Sequence, residues 1–106
     1  MARRRLTIAT AAARDLAAAR RWLTQPGADE RAARRLLALG AAVQDLREHP
    51  CRWPAGERTA VRERPVEGYR IAYEVAPDTG DDATAGNVNV LRVWAPGQER
   101  TDPRAG

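Results

Sequence analysis

Tyr69-Arg70-Ile71-Ala72-Tyr73-Glu74-Val75 is the stretch on which the fold turns. Apolar and polar positions alternate through it, and β-branched and aromatic residues dominate. That is the signature of a half-buried strand. Tyr69, Ile71, Tyr73 and Val75 point one way; Arg70, Ala72 and Glu74 point the other. The first set is the better candidate for a core face. Glu67-Gly68 precedes the strand and reads as a short turn, with Arg58–Arg64 before it as a weaker strand carried by Ala60 and Val61. After the strand, Pro77 to Asn87 is polar and Gly-rich, which predicts a long, mobile hairpin loop. Val88–Trp94 follows as the last strand, with Leu91 and Val93 expected on one face and Val88, Val90, Arg92 and Trp94 on the other.

Upstream, the apolar period changes from two to about 3.6. Leu6–Ala9 reads as a short strand with Leu6 and Ile8 on one face. Thr10 is placed to cap a helix running to about Thr24, whose apolar stripe is Ala12, Leu16, Ala19 and Leu23. Gln25-Pro26-Gly27 breaks that helix, and Asp29 is placed to cap a second one over about Glu30–Glu48. Its stripe is Ala32, Leu36, Leu39, Val43 and Leu46. Gly40 lies beside the stripe, either as a close-packing point or as a weak spot. His49-Pro50 ends the helix, because the residue before proline disfavours the helical basin. The predicted fold class is α+β: an N-terminal strand, a helical hairpin, then a three-stranded antiparallel sheet covered on one face by the helices.

Composition sets bounds. At 106 residues the chain is expected to form one domain over residues 1–106, with a flexible tail of about 97–106. A chain this short buries roughly 65% of its unfolded surface. Phe is absent and much of the apolar content is Ala, so the core is thin and a covering partner would stabilise it. The net charge is +4, and all 18 basic residues are Arg. A basic balance favours an anionic partner, either nucleic acid or an acidic protein; a merely solvated surface is the plain alternative. Cys51 is the sole cysteine, so an internal disulfide is excluded. No stretch approaches the roughly 20 apolar residues that span a bilayer. Met1–Arg5 is basic but lacks the apolar run and cleavage site of a signal peptide, so a cytoplasmic, membrane-free protein is expected.

This order of elements resembles the ParE/RelE toxin superfamily, from about Arg4 to Arg100. Asp15-Leu16 is similar to the family's "A…DL". Leu46, His49-Pro50 and Gly56 are similar to its "L…P…G", and Arg62 follows. Gly68-Tyr69-Arg70-Ile71-Ala72-Tyr73 resembles "gyRivY", and Val90-Leu91-Arg92-Val93 resembles "iLrV". The long polar insert before Val88 departs from the family's tight hairpin. The resemblance implies the toxin of a type II toxin–antitoxin system, silenced by a small ParD-like, ribbon-helix-helix antitoxin. Members of the superfamily divide between gripping DNA gyrase and cutting mRNA on the ribosome.

Chemistry favours the first branch. RNA cleavage through the 2′-hydroxyl needs a base and an acid as well as positive charge on the phosphate. Arginine supplies only the charge. The resemblance implies a Tyr, His or Lys after the last strand in RNA-cutting members, but here Trp94 to Arg100 contains none. No catalytic residue, cofactor or metal is therefore expected. An RNase would have to use Arg62, Arg70 and Arg92 as an anion site on one sheet face. Arg70, Arg92, Trp94 and Arg100 are the candidates for target or antitoxin binding; Arg70 alternatively pairs with Glu74, and Trp94 alternatively covers the core edge. A third reading is a non-toxic module that only binds the antitoxin. His49 reads as compensation of the helix dipole, Trp22 and Trp53 as core or rim, Cys51 as filler, Tyr69 and Tyr73 as core, and Glu57 and Glu63 as surface residues, with a base as their alternative role.

Overall fold

In the computed structural model, residues 4–58 and 60–105 are described. Met1–Arg3 of the basic start, Thr59 of the expected strand 58–64 and Gly106 of the tail lie outside the described residues. The chain runs β1 (Leu6–Ile8), α1 (Thr10–Thr24), α2 (Glu30–Asp45), β2 (Arg62–Val66), β3 (Tyr69–Ala76) and β4 (Asn87–Trp94), closing with a short 3-10 turn at Pro103–Ala105. The sheet has four strands in the order β1-β4-β3-β2. The three-stranded antiparallel meander is present as expected, and β1 adds to it in parallel with β4.

The central strand behaves as its alternation requires. Tyr69, Ile71, Tyr73 and Val75 are buried in the main core, together with Ala12, Ala19 and Leu23 of α1 and Leu39, Ala42 and Val43 of α2. Ala72 belongs to a second cluster with Val61, Leu91 and Trp94. Glu67 and Gly68 both have positive φ, 50° and 85°. That matches a two-residue hairpin turn whose twist suits the strands it joins. Pro65 sits in β2, an edge strand, where its missing N–H breaks no ladder bond.

Several expected boundaries move, each for a local reason. Thr10 is the first helical residue rather than the cap; Ala9 holds the cap position and makes no side-chain cap bond. Asp29 does cap α2, its carboxylate accepting from the Ala32 N–H at 3.0 Å. That helix stops at Asp45, because Leu46, Arg47 and Glu48 tighten into bonds to the residues three before them. Gly40 is exposed, and a Cβ added there would meet nothing within 4 Å, so it is a weak spot and not a packing point. The strand expected over 58–64 lies at Arg62–Val66, since Ala60 takes a left-handed φ of 64° and interrupts extended backbone.

The faces of β4 also differ from strict alternation. Ala72 pairs with Arg92 but Tyr73 pairs with Val90, which makes Leu91 the extra residue of a β-bulge. The bulge reverses the side-chain parity. Val88, Val90 and Val93 enter the main core, while Leu91 and Trp94 face the second cluster. The 77–86 loop, expected to be mobile, is tied down at several points. Arg4 donates to the carbonyls of Asp82, Ala85 and Gly86 and to that of Arg47. The Asp82 carboxylate accepts the Cys51 N–H at 2.7 Å.

Candidate partner-binding surfaces

Strand register separates the three sheet arginines. Arg62 is opposite Tyr73, on the helix-facing side. Arg70 is opposite Trp94, and Arg92 is opposite Ala72, on the other side. Each is then engaged by its own carboxylate. Arg62 donates to both oxygens of Asp78, at 2.8 and 3.0 Å, and to the Cys51 and Trp53 carbonyls. The pairing holds the Asp78 carboxyl below its ordinary value and lifts the Arg62 guanidinium above its own. Arg92 forks onto Asp15 of α1 at 2.7 and 3.1 Å, and Asp15 also accepts the Val93 N–H at 2.8 Å. β1 pairs with β4 only through Val90, so that N–H sits on an open edge and Asp15 completes it. Arg70 lies 3.6 Å from Glu63, not beside Glu74. The expected three-arginine anion site does not assemble.

Glu63 reads as a surface residue in the sequence, but its side chain is 6% exposed. Arg100 donates to it at 2.7 Å and also reaches Glu57 at 3.1 Å. Gly56 makes room for this carboxylate: a Cβ there would fall 1.9 Å from Glu63 Oε2. A buried carboxylate demands such partners, because leaving it unpaired costs several kcal/mol. The C-terminal stretch read as a tail thus crosses the open sheet face. Arg100 holds Glu63 of β2, Arg104 pairs with Glu74 of β3 at 3.0 Å, and Pro103 is buried, sharing a cleft with Leu91. Trp94, a candidate exposed anchor, is 2% exposed beneath this face and takes its core-edge alternative.

The remaining candidates fall as follows. The Tyr73 hydroxyl donates to the Pro50 carbonyl at 2.7 Å, and burial pushes its pKa up. Tyr69 is buried. The Cys51 thiol is partly buried against the core, and desolvation raises its pKa. His49 lies beyond the end of α2, its Nδ1 3.5 Å from Asp82, so it pairs with the loop rather than with the helix terminus. Trp53 sits at the core rim under the Arg64 guanidinium, 4.7 Å from its ring centroid, and Arg64 in turn bridges to Asp45 of α2. Trp22 does not join the core: it is 65% exposed. Among the described residues, no group of His, Cys, Asp and Glu is placed to hold a metal ion, and no helix is long and apolar enough to cross a membrane.

Residues 6–98 match the family described as ParE toxin of type II toxin-antitoxin system, parDE. This chain belongs to the ParE toxin family. Its fold is also that of a solved structure titled "Chromosomal ParDE TA system from P. aeruginosa", with a TM-score of 0.64 at 18% identity over 88% of this chain and 96% of that one. No curated protein matches. The ParE-like strand motif is carried by β3, and the tail from Glu99 onward lies beyond the matched residues. As a ParE family member the chain is a type II toxin, and its expected pairing with an antitoxin follows from that class.

The sequence singles out Arg62, Arg70, Arg92 and Arg100 as a group, but not the carboxylates that hold them. Asp15 is visible only as part of a motif. Glu63 and Asp78 carry no signal, since their burial or pairing depends on register and on a loop closing back over the chain.

Proposed function

We propose that this ParE-family toxin acts by gripping DNA gyrase in the cytoplasm, and that a ParD-like, ribbon-helix-helix antitoxin silences it. The observation that carries this reading is the placement of Arg62, Arg70 and Arg92. Arg62 lies on the helix-facing side and Arg70 and Arg92 on the other, and each is paired to a separate carboxylate. Among the described residues, their hydrogen-bond and ion-pair partners are carboxylates and backbone carbonyls. Tyr73 is buried with a raised pKa, and Trp94 to Arg100 offers no Tyr, His or Lys. Such a surface suits binding better than bond cleavage. Growth arrest on expression without the antitoxin follows from the same reading.

The direct test is a supercoiling assay with purified gyrase. Inhibition that saturates with the toxin-to-gyrase ratio supports the proposal; full supercoiling at micromolar toxin removes it. Primer extension on mRNA from expressing cells serves as the counter-test. Cuts within codons would replace gyrase binding with a ribosome-dependent RNase activity.

A further inference from the structure

Beyond the family match, from Glu99 onward, the chain does not trail away. Ala95-Pro96-Gly97-Gln98 forms a turn closed by the Gln98 N–H, which donates to the Ala95 carbonyl at 3.0 Å, with Gly97 at a φ of 79°. Proline followed by a left-handed glycine is the pattern of a type II turn. The Gln98 side chain also accepts the Ala95 N–H at 3.0 Å. From this turn the stretch 99–105 crosses the sheet. Arg100 reaches Glu63 of β2, Arg104 reaches Glu74 of β3, and the buried Pro103 shares a cleft with Leu91 of β4.

The hold on this stretch is uneven. Arg100 grips a carboxylate that is 6% exposed. Arg104 and Glu74 are 46% and 33% exposed, and salt screens a pair of that kind. A cleft of about 270 Å³ stays open between Pro103, Arg104, Leu91 and the start of α1. Among the described residues, the one backbone–backbone bond made by 99–105 is internal, from the Ala105 N–H to the Asp102 carbonyl. Side chains alone fix the stretch to the sheet. A segment without ladder bonds to its neighbours opens as a unit more readily than a strand does.

The four residues that the sequence offers for gripping a target belong to this sheet face or cross it. While the stretch is closed, all four are engaged within the chain: Arg70 and Arg100 at Glu63, Arg92 on Asp15, and Trp94 in the second cluster. Opening releases the guanidiniums of Arg100 and Arg104 and removes the cation that shares Glu63 with Arg70. We propose that residues 98–105 are a releasable strap that masks the outer sheet face, so that the closed chain is the less active form and opening lets that face grip the target. The inference deepens the binding reading above and rests on it, by naming what regulates the surface.

The test uses the full chain and loosens the strap without stranding the buried Glu63. Glu74→Gln and Arg104→Gln each remove the outer pair from one side. Gly97→Ala leaves every charge in place: its Cβ meets nothing within 4 Å, but the φ of 79° strains it in the closed turn. Opening is read by limited trypsin cleavage after Arg100, because the protease must take that side chain into its own acidic pocket and cannot while Glu63 and Glu57 hold it. Cleavage should speed up by about three-fold in either pair variant and no further in the double. It should speed up by about ten-fold in Gly97→Ala. The melting temperature of the pair variants should hold, since both residues are partly exposed. In the same order, the variants should inhibit gyrase at lower concentration and arrest growth at lower expression. Cleavage rates equal to the parent's overturn the strap. Faster cleavage with unchanged inhibition and growth arrest overturns the mask and leaves the gyrase reading standing. Stronger growth arrest by the loosened variants without gyrase inhibition supports the strap and removes gyrase as the target.

Discussion

Tyr73 shows how much one atom matters in a core this thin. Its ring fills the main core, and its hydroxyl is the group that ties the strand to the loop after α2, through the Pro50 carbonyl. Tyr73→Phe leaves a buried carbonyl without its donor and should lower stability by about 1–2 kcal/mol, read from denaturant unfolding. Asp78 makes the corresponding electrostatic point. Its folded pKa lies below the ordinary 3.8, chiefly because Arg62 donates to it. A depressed carboxylate stabilises the fold in full above its unfolded value and loses that contribution as pH falls through the folded one. Parent and Asp78→Asn should therefore differ most in stability near neutral pH and converge as pH falls below 3.8. A gap between them that stayed constant into acid would contradict this.

Among the elements, α2 is the informative case. Its apolar stripe, its Asp29 cap and its position over the sheet are all legible in the sequence, because local spacing sets them. Gly40 is the flaw in it: exposed, mid-helix and touching nothing. Gly40→Ala removes backbone freedom from the unfolded chain and should stabilise by about 0.5–1 kcal/mol, seen as a raised melting temperature. The strands are less legible. β2 lies several residues beyond its expected start because a single left-handed Ala60 interrupts the run. Strict alternation assigns β4 the wrong parity around Leu91, because a bulge leaves no mark in a polar–apolar pattern. Without that bulge Trp94 would face the helices; with it, Trp94 joins the second cluster.

Across the whole molecule, the sheet has two covers. The helices take one face, and the stretch from Gln98 to Ala105 takes much of the other. Ending the chain at Gly97 would leave Glu63 with Arg70 alone, at 3.6 Å, and would take Pro103 away from Leu91. We expect the shortened chain to lose about 2–4 kcal/mol and to bind a hydrophobic dye that the full chain does not. An unchanged melting temperature would mean that the tail adds nothing to the sheet. The same view explains the charge pattern. The arginines of the sheet and tail act as internal clamps, while among the described residues those of the hairpin have no carboxylate within ion-pair distance.

The order of elements, the core face of β3, the helical stripes and the family can all be read from the amino-acid string. Each rests on spacing within a few residues, and short-range periodicity survives in one dimension. Folding in three dimensions decided which arginines are occupied, that Glu63 is buried, and that Trp22 lies outside while Trp94 lies inside. Those outcomes depend on strand register, one bulge and a returning tail. They join residues as far apart as Asp15 and Arg92, whose pairing no local rule encodes.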